Sequence, residues 1–229
     1  GDSGPLVRSS DRRGDEIAEL EAALSPGAGV QAVVIALWGG VAAAGAQAAE
    51  IYSWRNREAG YDDRPRALEP GASWLRGLGK LPSSLVAGSD NHWGHPGAVN
   101  LTGLEPGAGG LTAVRASIND RERILDALRS GQAWATTGAR IYLSVQRRGG
   151  DGLVVEAAGT TTLSRIDLVV VDRSGMREVP VLERPVLDFE GVVPVPRVEG
   201  PGFCYVRVVQ EDGEIAWSSP LTLGEEERR

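Results

Sequence analysis

In 229 residues there is one cysteine, one methionine, one lysine and only two histidines. Each shortage excludes something. A lone Cys204 cannot close an intrachain disulfide, and it rules out a cysteine-rich zinc site. Within "GFCYVRVV" it reads as a small apolar strand residue. Lys80 is the only lysine, the net charge is −7, and no basic patch occurs along the chain. Such a surface repels phosphate backbones, so no nucleic-acid partner is expected. The opening "GDSGPLVRSSDRRGDE" lacks the apolar centre of a secretory leader, which favours a cytoplasmic protein. No initiator methionine precedes it, since the only methionine is Met176, so the numbering is expected to start partway into a longer gene product. The long uncharged run from Pro26 to Ala49 carries Gln31 and Gln47 and breaks at Gly39-Gly40. It reads as a buried strand with a small-residue loop or helix, and no membrane partner is expected.

What is present is an ordinary globular composition, 41% apolar and 24% charged, sufficient for one or two packed domains. "DEIAELEAAL" (15–24) spaces Ile17, Leu20 and Leu24 as a short amphipathic helix ended by Ser25-Pro26-Gly27. "VQAVVIAL" (30–37), "AAEIYSW" (48–54) and "SSLVAGSD" (83–90) are apolar runs typical of strands covered on both faces. Asn119 and Asp120 offer caps to a helix over "RERILDALRSG", which Gly131 ends. This alternation predicts a largely parallel α/β layer or barrel over residues 1–140. From 141 to 229 seven short apolar segments follow one another between glycine-rich turns, which predicts a small antiparallel β-sandwich.

"GDSGP" at the start resembles a serine-protease nucleophile motif, but the triad partners of that family precede the serine and nothing lies upstream of Ser3. It reads as a polar turn. A better candidate is "LVAGSDNHWGHPG" (85–97), which holds both histidines. It places Asp90 and His92 just after a buried strand, where parallel α/β architectures build their sites. A carboxylate and an imidazole two apart on extended chain can reach two neighbouring divalent ions, or one from two sides, and a bound ion would acidify its water. Alone, the Asp-x-His pair is a weak signal, because a capping aspartate beside a partly buried histidine occurs in any loop.

The context is more specific. "GSDNHWGHPG", "GGLTAV" (109–114), "RERILDALRSGQAWATTGARI" (121–141) and "YVRVVQEDGEIAWSSPL" occur in that order. In order and spacing they resemble the carboxyl half of metal-dependent hydrolases of the PHP (polymerase and histidinol phosphatase) superfamily, nearest its carbaryl-hydrolase-like branch. The likeness runs from about residue 5 to residue 222. It implies a partial, distorted α/β barrel followed by the sandwich, and hydrolysis of a small-molecule ester or phosphoester. It also implies a divalent zinc, manganese or iron cofactor with Asp90 and His92 as ligands. His95 stands where relatives often carry arginine; it is a candidate substrate contact or a surface turn residue. Thr136, Thr137 and Arg140 of "ATTGAR" are candidates to hold a substrate anion, or else form a helix-to-strand turn.

The pattern is incomplete. The superfamily's early His-x-His is absent, and Ala36-Leu37 replace a Pro-His pair. Glu50, on an apolar strand, is expected to be structural or to support a ligand. Asp90 and His92, even with His95, give two or three donors, short of a closed four-ligand set. Two explanations remain open: the missing ligands lie in a part of the gene product outside this chain, or the chain is a degenerate, non-catalytic remnant whose sandwich serves binding or assembly. On either, any metal held by this chain alone is expected to be weak or absent.

Overall fold

The computed structural model describes residues 35–36, 47–53, 81–89, 91, 109–149 and 152–224. The expected helix over 15–24 lies outside them, as do most of the uncharged run and the tail after Gly224.

Two of the expected buried strands, in 48–54 and 83–90, form where their apolar runs predict, and of the run 30–37 only Ile35–Ala36 is described. β1 (Ile35–Ala36), β2 (Ala48–Ser53) and β3 (Ser84–Gly88) make a three-stranded parallel sheet in that order. A second sheet of nine strands contains β4 (Leu111–Val114), β5 (Ala133–Thr136), β6 (Tyr142–Arg148), β7 (Gly152–Asp172), β8 (Gly175–Pro180), β9 (Val186–Pro194), β10 (Gly202–Gln210), β11 (Ile215–Ser218) and β12 (Leu221–Leu223). Its main path is β4-β5-β11-β10-β7-β6, with β12 beside β10 and both β8 and β9 beside β7. All its pairings are antiparallel.

β7 organises this sheet. Residues 152–158 pair with β6 and β9, whereas 167–172 pair with β10 and β8. The register breaks between Ala158 and Leu163, at the segment "GTTT". The amide of buried Gln210 fills this corner: its Oε1 accepts from the backbone N–H of Thr160 (2.7 Å) and Thr161 (3.3 Å). Two amides freed by the break thus regain a partner, as buried backbone donors must.

The central strands are mostly apolar because both their faces are covered. Val169, Val171, Phe203, Tyr205, Ile215 and Trp217 pack on Ala49, Ile51, Tyr52, Leu85 and Ala87 of the parallel sheet. Their neighbours Leu168, Val170, Cys204, Val206, Val208 and Ala216 pack the other way, on Leu143, Leu153, Val155 and Val193. Three layers result, with the antiparallel strands in the middle. Side chains bind the first two layers as well: Thr112 Oγ1 accepts from the Ala87 N–H (2.9 Å) and donates to the Ala87 carbonyl (2.8 Å).

This corrects the expected α/β class. The described residues are mostly strand with a single helix, α1 (Arg121–Arg129), and the large sheet is antiparallel rather than a layer of an α/β barrel. α1 itself starts as its residues predict, with Asp120 accepting from the Arg123 N–H (2.8 Å). The misreading lay in its connection. A strand–helix–strand string normally signals a parallel crossover, but here Arg115 N donates to the Gln132 carbonyl (2.8 Å) and closes β4 and β5 as a hairpin. α1 sits inside the hairpin loop, and only Ala127 of its residues is buried. Strands β4 and β5 thereby join the same sheet as the strands that follow residue 140. Among the described residues no helix is long and apolar enough to cross a membrane.

Candidate functional site

Asp90, His92 and His95 lie outside the described residues. Their nearest described neighbours are Gly88, the last residue of β3, then Ser89 and Asn91. What the structure does show is which other segments meet the carboxyl end of β3. Gly110, just before β4, lies so close that a Cβ there would stand 2.8 Å from the Gly88 carbonyl oxygen and 2.8 Å from the Tyr52 ring. Only glycine permits this approach, which accounts for Gly110 in "GGLTAV". Leu111 is in turn the register partner of Thr136, at the carboxyl end of β5. The ends of β2, β3 and β5 and the start of β4 therefore share one end of the packed sheets. Tyr52 roofs the core there, stacked on Trp217 with ring centroids 6.2 Å apart. Glu50 is half-buried in β2, opposite Val86 of β3.

The "ATTGAR" turn is built differently from a free anion cradle. Thr136 and Thr137 are buried. Thr137 Oγ1 donates to Glu214 Oε2 (2.6 Å) and accepts from the Ile215 N–H (2.9 Å), while the Thr137 N–H donates to the Ile215 carbonyl (3.0 Å). The same Glu214 oxygen accepts from the Ala139 N–H (3.3 Å), and Thr136 Oγ1 accepts from the Gly138 N–H (3.2 Å). A hydroxyl has one proton to give, and Thr137 gives it to Glu214. Arg140 differs: it is exposed, and no hydrogen bond or ion pair of its guanidinium occurs among the described residues. Of the three, Arg140 retains free donors.

Glu214 is the residue that local pattern missed. "QEDGEI" reads as a turn, and nothing in its spacing reveals that this carboxylate clasps a turn 77 residues earlier. Thr137→Val should therefore lower stability by about 2 kcal/mol, since it strands the Ile215 amide and one side of a charged acceptor. Thr137→Ser should retain most of it. Urea denaturation decides, and a Thr137→Val variant as stable as the parent would mean that the hydroxyl is free for a ligand.

Two ionisable groups elsewhere are strongly perturbed. The hydroxyl of Ser174, then the Arg177 guanidinium (2.7 Å), hold the Asp172 carboxyl well below the usual carboxylate range and brace the β7–β8 turn. Burial pushes the Cys204 thiol up to about 11, against a smaller opposing pull from Arg147, so it is a protonated packing group at neutral pH. Among the described residues no cluster of three or more His, Cys, Asp or Glu side chains is positioned to hold a metal ion.

Residues 78–164 match a family described as a protein of unknown function (DUF3604). That segment contains "LVAGSDNHWGHPG", "GGLTAV", α1 and "ATTGAR". No curated protein matches the chain. Among solved structures, two of pectate lyase Pel3 from Pectobacterium carotovorum overlap it at 10% and 11% identity. They cover 38% and 39% of this chain with TM-scores of 0.26 and 0.25. The chain spans little more than a quarter of that protein, 27% and 28% of its length, and no conclusion about fold or activity follows from the overlap.

Proposed function

We propose that the chain is the carboxyl-terminal portion of a PHP-type metal-dependent hydrolase acting on a small-molecule ester or phosphoester. Asp90 and His92 are its contribution to a zinc, manganese or iron centre. One observation supports this reading above others: the segments on which the likeness rests converge. The carboxyl end of β3, the Gly109-Gly110 approach and the end of β5 meet at one end of the sheets, although they are separated by up to about fifty residues of chain. Arg140, with its free guanidinium donors, is the candidate contact for a substrate anion there.

The donors that the likeness assigns fall short of a closed four-ligand set. Asp90, His92 and His95 number at most three, and no further cluster of such groups occurs among the described residues. No catalytic step is therefore assigned to this chain alone. A second reading, a non-catalytic remnant, is favoured by Ala36, a hydrocarbon in β1 beside Leu37 where the superfamily carries a Pro-His pair.

One experiment separates the two. The full-length gene product is purified, its metal content measured, and hydrolysis of p-nitrophenyl phosphate and a naphthyl ester followed with and without chelator. The hydrolase reading expects bound metal, chelator-sensitive turnover and loss of both in His92→Ala. The 229-residue chain alone should bind zinc no tighter than micromolar. Neither metal nor turnover in the full-length product would leave the non-catalytic reading.

A further inference from the structure

A cavity of about 370 Å³ opens at the other end of the β4–β5 hairpin from Thr136. One wall is β6 from Leu143 to Arg147; the opposite wall is Arg115 with the entry to β5, Gly131–Trp134; Ser218, Ser219 and Leu221 close its floor. Its size lies within the roughly 300–1,000 Å³ of small-molecule sites. At ~30 Å³ per water-sized group it has room for about twelve.

The polar groups around it divide into two kinds. The two floor hydroxyls are spent: Ser218 accepts from the Val206 N–H (2.9 Å) and donates to the Ser219 carbonyl (3.1 Å), while Ser219 donates to the Ala133 carbonyl (2.5 Å). Trp134 gives its indole N–H to the Ile141 carbonyl (2.8 Å). Ser144 is different. It is 4% exposed, and its hydroxyl oxygen, closed off from the cavity, has no hydrogen-bond partner among the described residues. Native structures rarely leave such a group unsatisfied, because desolvation without a partner is destabilising. Two guanidinium groups line the same cavity. Arg115 donates one N–H to the Tyr142 hydroxyl (3.2 Å), and Arg147 donates one to the Thr222 carbonyl. Each has five N–H donors, so each keeps others in reserve. Among the described residues no aspartate or glutamate lines the cavity; Glu156 accepts from the same Tyr142 hydroxyl (3.2 Å) from outside the lining.

We propose that this cavity is a binding site for a small organic oxyanion, a carboxylate or phosphoryl group carried on a compact apolar body. Arg115 and Arg147 supply the charge and the forked donors that planar or tetrahedral oxyanions accept. Leu143, Trp134 and Leu221 cover the apolar part. The proposal does not depend on the hydrolase reading.

The test titrates the 229-residue chain with benzoate, inorganic phosphate and, as the neutral analogue, benzyl alcohol, by calorimetry and by thermal shift. Benzoate is expected to bind with Kd on the order of 1 mM, to raise the melting temperature, and to weaken as salt is added. Arg115→Gln combined with Arg147→Gln should weaken it at least tenfold. Because Arg147 also braces Thr222, Arg115→Gln alone serves as the milder variant, with a several-fold loss expected. Phosphate binding in place of benzoate supports the same site with a phosphoryl ligand. Benzyl alcohol binding as well as benzoate, binding that survives Arg115→Gln, or no binding of either anion at tens of millimolar overturns the proposal.

Discussion

Replacing Arg207 by methionine should cost about 3 kcal/mol of folding stability, while replacing Arg207 by methionine and Asp167 by leucine together should cost far less. Arg207 lies on β10 directly opposite Asp167 of β7, and the two side chains are 3% and 0% exposed. Arg207 Nη2 donates to Asp167 Oδ2 (2.9 Å) and also approaches Glu178 Oε2 (2.9 Å) on β8. Removing one member of a buried pair leaves an uncompensated charge, which typically costs about 3–5 kcal/mol, whereas removing both is often near neutral. Here the single change falls at the low end of that range, because half-exposed Arg165 also binds Asp167 (2.9 Å) and still pairs with Glu178. Urea unfolding of the two single variants and the double variant gives the coupling energy. A single Arg207→Met loss under about 1 kcal/mol would show that the network is not what holds β7, β8 and β10 together.

The second large effect is expected at Gly159, where β7 breaks register. A Cβ there would lie 2.1 Å from the Thr161 carbonyl oxygen and 2.8 Å from both Gln210 Oε1 and Leu163 Cδ2. The first obstacle is backbone and cannot swing aside. Gly159→Ala must open the corner, pulling the Thr160 and Thr161 amides away from Gln210. Overpacking alone costs about 1–3 kcal/mol, and a strained amide contact adds to it, so a loss of about 3 kcal/mol is expected. Thermal unfolding measures this, and limited proteolysis should show new cleavage between Ala158 and Leu163. An alanine variant that melts with the parent would mean the corner has slack.

How much of this was legible beforehand varies by residue. β2 and β3 were found from continuous apolar runs to within a residue or two at each end, and the Asp120 cap from its position before a periodic stretch. These are local properties, set by side chains a few positions apart. The α/β expectation fails because a strand, a helix and a strand in succession do not encode whether the chain returns or reverses. The Arg115–Gln132 backbone bond decides that, and it depends on how the loop closes. Two of the seven apolar segments expected after residue 140, "GLVVEAAG" and "RIDLVVVDRSG", are the two ends of one strand, β7, joined through a corner that Gln210, some fifty residues on, holds in place.

The candidate site divides along the same line. Residue type and order were enough to pick out Asp90, His92 and the "ATTGAR" turn as the places where chemistry is concentrated. They were also enough to count too few donors for a closed metal centre. Alternation in "CYVRVVQ" was enough to set Tyr205, Arg207 and Val209 on one face. Only the packed structure decided that this face is covered as well as the other, that Arg207 is consumed by Asp167, that Thr137 is consumed by Glu214, and that Ser144 is left without a partner beside two arginines. The reason is physical: a side chain's donors and charge are properties of the residue, but whether they remain free depends on partners that tertiary packing brings from 40 to 77 residues away.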